Sequence, residues 1–225
     1  MSGGRGLLVW ADLLGRVDLR VGDREIPRDA WPVRSGRSLV LLLLITPGHE
    51  LARERVLDLL WPRLPRDAAR NACSKALHAA RRALATHGGA DELLRADRER
   101  IGLAPNVEVR IDIELFERGV LDAPADVTVR RTALRRALAL YHGDLLATEI
   151  DAEWADERRE EVRRLRRRAT LELAALDRDA GVPLAAVGEL EALLRADETD
   201  EAVHRALIVA HLDDGQRDRA RRLYE

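Results

Sequence analysis

The sequence predicts a mainly α-helical chain in two parts: a basic part, in which helices follow a small antiparallel sheet and precede a hairpin, and an acidic part of helices alone. Three observations carry this. From Ala68 to Thr86, Cys73, Leu77, Ala80 and Leu84 recur at helical spacing, with polar and basic residues on the opposite side. Before that stretch the apolar residues alternate with period two between glycine turns, as in short strands. The charge also divides, with 18 Lys+Arg against 13 Asp+Glu in residues 1–105 and 20 against 27 in residues 106–225.

At 225 residues the chain can bury two modest cores. Lys75 is the only lysine, so nearly every cation is an arginine. A single cysteine, Cys73, excludes an intramolecular disulfide and fits a reducing, cytoplasmic setting. The longest apolar run, Leu39 to Ile45, is too short for a bilayer, and the N-terminus has no signal-peptide pattern, so no membrane association is expected.

In order, Gly6 to Ile26 reads as short strands, with Gly22-Asp23 as a hairpin turn. Ser38 to Ile45 is apolar almost all round, the mark of a buried helix, and Pro47-Gly48 stops it. A second helix runs from about Arg53 to Trp61 and is ended by Pro62 and Pro65. The long basic helix follows, and after Gly88-Gly89 the segments 93–96 and 100–103 bracket Asp97-Arg98-Glu99 as a hairpin. Sheet, three helices and a hairpin make a winged helix-turn-helix over residues 6–105, with the basic helix placed to read a major groove and the hairpin as the wing.

Between Asp67 and Asp91 the sequence has no Asp or Glu. A helix that approaches a polyanion needs that exclusion. Asn71, Ser74, Lys75 and His78 are expected to face bases and Arg81 and Arg82 phosphates, with Arg70 a further DNA-binding candidate beside them. Ala76, Ala79 and Ala83 are expected to keep the helix slim enough for the groove. Arg98 and Arg100 are the wing's candidates, and Arg34, Arg37 and Arg53 are further candidates for the DNA backbone. An ordinary amphipathic helix with a solvated basic face is the bland alternative, and the flanking segments decide against it.

The run from Arg34 through LLLLITPGHELARERVLDLLWP and RNACSKALHAARRAL resembles the OmpR-type winged-helix domain of the SARP family of bacterial transcription regulators. Ala52 stands where that family has a capping Ser or Thr, and the acidic Asp97 and Glu99 replace a glycine-rich wing tip, which implies weak grip at the wing. IDIELFERGV, the stretch from Leu134 through Leu146, and Glu153-Trp154-Ala155 resemble the bacterial transcriptional activation domain that follows it, here over residues 109–225. Strands are expected to end before Val109. Gly181 and Gly215, Leu173 and Leu207, Ala186 and Ala220, and Leu190 and Tyr224 are each 34 residues apart, the period of tetratricopeptide helix hairpins. Because the chain stops just after Tyr224, the domain is expected to be truncated, its last layer supplied by a second copy or by a further domain of a longer chain.

No catalytic or metal-ligand constellation emerges, and no cofactor is expected. His204 and His211 stand two turns apart with no third ligand, serines are too few for a nucleophile elbow, and Lys75 lies behind Ser74 without a phosphate loop. The four tryptophans, Trp10, Trp31, Trp61 and Trp154, are expected to fill core space. The acidic cluster of Asp144, Glu149, Asp151, Glu153, Asp156 and Glu157 reads as a solvated loop and a helix N-terminus, and its part from Glu149 to Glu157 is further expected to rest near the basic helix when DNA is absent. The resemblance implies a non-enzymatic, sequence-specific regulator of double-stranded DNA, an activator in contact with RNA polymerase or its sigma factor. A protein-interaction scaffold with weakened DNA binding is the alternative.

Overall fold

The computed structural model describes residues 7–87 and 93–224, so the expected break at Gly88-Gly89 lies outside the described residues. The chain forms two compact units, the first from residues up to Glu114 with His142–Arg159, the second from Leu115–Tyr141 with Glu160 onward.

In the first unit, β1 (Leu7–Asp12), β2 (Asp18–Val21) and β3 (Arg24–Glu25) form antiparallel hairpins. Gly22 turns between β2 and β3 at a φ of 57°, where a side chain would be strained. The sheet then gains a strand that sequence patterning assigned to helix. β7 (Val107–Ile111) pairs in parallel with β1, from Leu7↔Val107 to Ala11↔Ile111. Strand pairing thus continues past Val109, and the sheet order is β3-β2-β1-β7.

Three helices pack beside the sheet: α1 (Arg34–Ile45), α2 (Arg53–Leu60) and α3 (Arg66–Thr86). From Leu39 to Ile45 every side chain of α1 is buried, as its all-round apolarity requires. α1 begins four residues before its expected start at Ser38, and Gly36 in its first turn meets α3 closely. A Cβ at Gly36 would lie 3.1 Å from Ala80 N, 3.2 Å from Ala76 O and 3.3 Å from Ala79 Cβ. Ala76, Ala79 and Ala83 are buried. Their small size lets helices cross; it does not slim a DNA-facing surface.

A second sheet, β4-β6-β5, joins β4 (Glu50–Ala52) to the hairpin of β5 (Leu94–Ala96) and β6 (Arg100–Leu103). Ala52 also opens α2 with extended backbone and no side-chain cap. The carbonyl of Glu99 accepts from Arg53 N at 2.7 Å, while the next donors of the first turn lack a side-chain acceptor. Ala52→Ser should stabilise the unit by about 1 kcal/mol, read as a raised urea midpoint at constant slope. An unchanged midpoint would show that the missing hydroxyl costs nothing here.

The second unit contains most of α4 (Asp112–Leu121), then α5 (Val127–Leu138), most of α6 (Asp156–Asp179), α7 (Val187–Ala196), α8 (Glu201–Asp213) and α9 (Arg217–Tyr224). Phe116 is fully buried, and Gly119 sits so close to α5 that an added Cβ would lie 2.8 Å from Ala137 Cβ. The 34-residue relation holds in detail at the turns. Gly181 and Gly215 have φ of 75° and 77°, and Val182 N→Asp177 O and Gln216 N→His211 O close the same helix-ending turn at 2.9 and 2.8 Å. Leu173, Leu207, Ala186 and Ala220 are all buried. Leu190 is buried too, but Tyr224 is 85% exposed, so the last pair departs from the repeat. Asp200 caps α8 by accepting from Ala202 and Val203 N, and the Arg167 guanidinium beside it holds its carboxyl below the usual range.

Candidate nucleic-acid interface

α3 presents one polar face along nearly its whole length. Asn71, Ser74, Lys75, His78 and Arg82 are exposed and follow the helical spacing of a single stripe. Asn71 to Arg82 rises about 16 Å along the axis, the reach of roughly five base-pair steps. Opposite this face, Cys73, Leu77, Ala80 and Leu84 are buried, as their spacing requires. Burial pushes the Cys73 thiol up, with Arg53 opposing.

The stripe is not chemically uniform. Ser74 Oγ donates to Arg70 O at 3.0 Å, which leaves the hydroxyl its lone pairs for an incoming donor. Arg70 lies 3.6 Å from Glu54 and 3.7 Å from Asp67, so the start of the helix is locally neutralised. Arg81 is half-buried, and its Nη2 donates to Leu94 O at 3.1 Å, tying α3 to β5. Arg81 is thereby directed into the fold, where it cannot reach a phosphate without releasing that carbonyl. Lys75 and Arg82 are the stripe's cations without an ion-pair partner among the described residues.

The wing is held by charge pairs of its own. Asp97 Oδ1 accepts from Glu99 N and Arg100 N, each at 2.8 Å, and these two bonds are the main cause of its carboxyl lying below the usual range. Glu50 on β4 accepts from Arg95 at 3.0 Å and from Arg100 at 2.5 Å. Arg100 is therefore paired, while Arg98 stands exposed at the tip.

The three further arginines are all engaged. Arg53 donates twice to Asp97 O, at 3.0 and 2.7 Å, fastening α2 to the wing. Arg34 pairs with Asp151 in solvent. Arg37 is only 5% exposed, and its Nε and Nη2 donate to Glu149 Oε1 at 3.2 and 3.1 Å. A guanidinium enclosed in this way cannot contact DNA, and the expectation for Arg37 is corrected accordingly.

Glu149 belongs to the segment His142–Arg159, which packs onto the sheet and α1 of the first unit. Gly15 N donates to Asp144 O at 3.0 Å and Leu146 N to Leu13 O at 2.8 Å. Arg159 binds the carbonyls of Leu145, Ala152, Leu146 and Glu149 at 2.9 to 3.2 Å and so fixes the loop's shape. Asp112, at the start of α4, receives Leu13 N, Leu14 N and Ile113 N at 2.7 to 2.9 Å. The acidic segment is therefore not a free solvated loop. Its ion pairs within the unit go to Arg28, to α1 and α2 and to Arg159, through Glu149, Asp151, Glu157 and Asp156, and none among the described residues goes to α3.

Of the tryptophans, Trp31 is buried, whereas Trp10 is 39% exposed with the Arg110 guanidinium 5.2 Å from its ring centroid. Among the described residues no cluster of three His, Cys, Asp or Glu could hold a metal, and no helix is long and apolar enough to cross a membrane.

Comparison with known proteins places this arrangement. A family model described as bacterial transcriptional activator domain matches residues 111–225, just over half of the chain. The chain belongs to this family. The activator domain thus begins at the last residue of β7, and it contributes Asp112, Glu149 and Arg159 to the unit that carries α3. The solved structure of Mycobacterium tuberculosis EmbR in complex with a low-affinity phosphopeptide has a similar fold, with a TM-score of 0.76 at 20% identity. The similarity covers 97% of this chain and 58% of that one, so the chain spans less than two thirds of EmbR. No curated protein matches. The SARP resemblance read from the sequence is borne out by the activator domain and by the fold. Sequence reading missed the activator domain's buried acids, although Val107, Val109 and Ile111 alternate as an edge strand does and place Asp112 at its end.

Proposed function

We propose that the chain is a transcription regulator that binds duplex DNA through the exposed face of α3, with activator-domain surfaces left for protein contacts that include RNA polymerase or its sigma factor. The observation that supports this reading is the acid-free stripe of Asn71, Ser74, Lys75, His78 and Arg82 on a helix anchored by its other face. Asn71 offers the amide that pairs with adenine, and Ser74 offers an acceptor to an exocyclic amine. Lys75, expected from the sequence to face a base, is with Arg82 one of the stripe's two cations lacking an ion-pair partner among the described residues, and the two supply the charge that neutralises phosphates. Arg98 adds one contact from the wing.

Mobility shifts at graded salt test this. Log affinity should fall linearly with log salt, and Lys75→Ala and Arg82→Ala should each lower the slope by about one. Arg81→Ala should instead lower stability, because its guanidinium holds Leu94. Salt-insensitive binding by the parent, or unchanged slopes in both variants, would overturn the reading.

The alternative is a protein-interaction module with little DNA affinity. It is favoured by the wing, where Glu50, Asp97 and Glu99 balance Arg95, Arg98 and Arg100, and by the engagement of Arg34, Arg37 and Arg53. The same titration separates the two. A homodimer is part of this reading through Tyr224, whose exposed ring on α9 offers contact area.

A further inference from the structure

Within the second unit, α6 and α8 run in the same direction and are pinned at two points. Arg167 donates to Asp200, the cap of α8, at 2.8 Å, and Arg178 lies 3.9 Å from Asp213 at the other end of that helix. The pins are eleven residues apart on α6, about 16 Å. Between them the facing side chains are short. Leu171 and Ala175 on α6 and Ala206 and Val209 on α8 leave a groove of about 200 Å³. Its lining includes Arg178 and Arg205 and no acidic residue. Arg205 is exposed and has no ion-pair partner among the described residues, while Arg178 is only loosely held, 3.5 Å from Asp179 and 3.9 Å from Asp213.

We propose that this groove docks an extended segment of a partner protein in which a branched apolar side chain is flanked by carboxylates. The floor is apolar and has room for a side chain of leucine size, because alanines line both walls. The length between the pins matches about five residues of extended chain at about 3.3 Å each. The close Arg167–Asp200 pair bridges α6 to α8 directly and leaves no width at that end for a helix about 10 Å thick. The exposed Arg205 accepts a carboxylate in a paired geometry, Arg178 accepts a second on leaving its long contacts with Asp179 and Asp213, and both repel a basic segment. A ligand that is merely anionic would leave the apolar floor wet.

Fluorescence anisotropy on the full chain tests this, with a labelled ten-residue peptide carrying two central leucines between aspartates. Two control peptides replace the leucines by serine or the aspartates by lysine. The acidic leucine peptide should bind, and both controls should bind about tenfold or more weakly, a loss of about 1.4 kcal/mol. Ala206→Leu, which fills the groove, and Arg205→Glu should each cause a similar loss while the far-ultraviolet circular dichroism stays unchanged. If Ala206→Leu disturbs the helices, Ala175→Leu on the opposite wall serves in its place. Equal binding of the serine peptide would mean that the arginines simply hold anions, and equal binding of the lysine peptide would remove the charge argument. Undiminished binding to the filled groove would place the site elsewhere. Light scattering that shows self-association abolished by the same filling would assign the groove to a second copy. Any of these four results overturns the proposal. The measurement uses no DNA, so it stands or falls apart from the reading of α3.

Discussion

A fragment ending at Pro105 is expected not to fold, although it contains every element of a winged helix-turn-helix except its last strand. Cutting there removes β7 and exposes the backbone of β1 along the whole Leu7–Ala11 ladder. It removes Asp112, the acceptor for Leu13 and Leu14 N, and it removes Glu149, the partner of a buried guanidinium. The last loss alone is large, because an unpaired buried charge costs about 3–5 kcal/mol, comparable to the whole stability of a small unit. Glu149→Ala in the full chain isolates that contribution and should lower unfolding free energy by about that amount in urea. The fragment should give a poorly dispersed amide spectrum. A well-dispersed spectrum, with Glu149→Ala nearly neutral, would mean that the returning segment decorates the first unit without completing it. The same result bears on DNA binding: deleting the acidic half is expected to abolish binding by unfolding α3, not to tighten it by removing an inhibitor.

Asp112→Asn should be the next most damaging single change, at about 3 kcal/mol. Both carboxylate oxygens accept backbone N–H groups, Oδ1 from Leu13 and Ile113 and Oδ2 from Leu13 and Leu14. An amide can supply only one oxygen, and its NH2 would then face a backbone donor at about hydrogen-bond distance, leaving buried groups unsatisfied. Burial is the largest influence on the carboxyl and raises it above the ordinary range, against the pull of those backbone donors. The folded state therefore holds this proton more tightly than the unfolded one. The resulting stability is fully present below the unfolded pKa and is lost as pH rises through the folded pKa. Urea titrations of parent and variant at neutral pH read the loss, and equal midpoints would mean that the second accepting oxygen contributes nothing.

The helices were legible because their signals are local. The spacing of Cys73, Leu77, Ala80 and Leu84 marks the buried face of α3, and glycines 34 residues apart mark equivalent turns at Gly181 and Gly215. The hairpin around Asp97-Arg98-Glu99 was legible for the same reason. What escaped is long-range. Arg37 sits in Arg34-Ser35-Gly36-Arg37-Ser38, a polar stretch with no local sign of burial, and its partner lies 112 residues away. β7 has five residues and runs directly into α4, so its period-two pattern is too short to outweigh the helix that follows. Ala76 and Ala79 carry no mark of which neighbour they admit; only Gly36 across the crossing shows that it is α1. For the candidate interface, sequence could name the stripe on α3 but not the pairing that ties up Arg53, Arg81 and Arg100.

Lys75 gives that stripe a chemical property unlike that of the surface around it. It is the only lysine of the chain, and it stands exposed in the middle of the α3 face. The other cations are guanidiniums, which stay protonated and resist acylation at neutral pH. Acetylation of a side-chain amine on this chain can therefore happen at one place, and there it erases one of the stripe's two charges without an ion-pair partner among the described residues. For the same reason an amine-reactive reagent distinguishes a covered α3 from an open one by a single side-chain adduct.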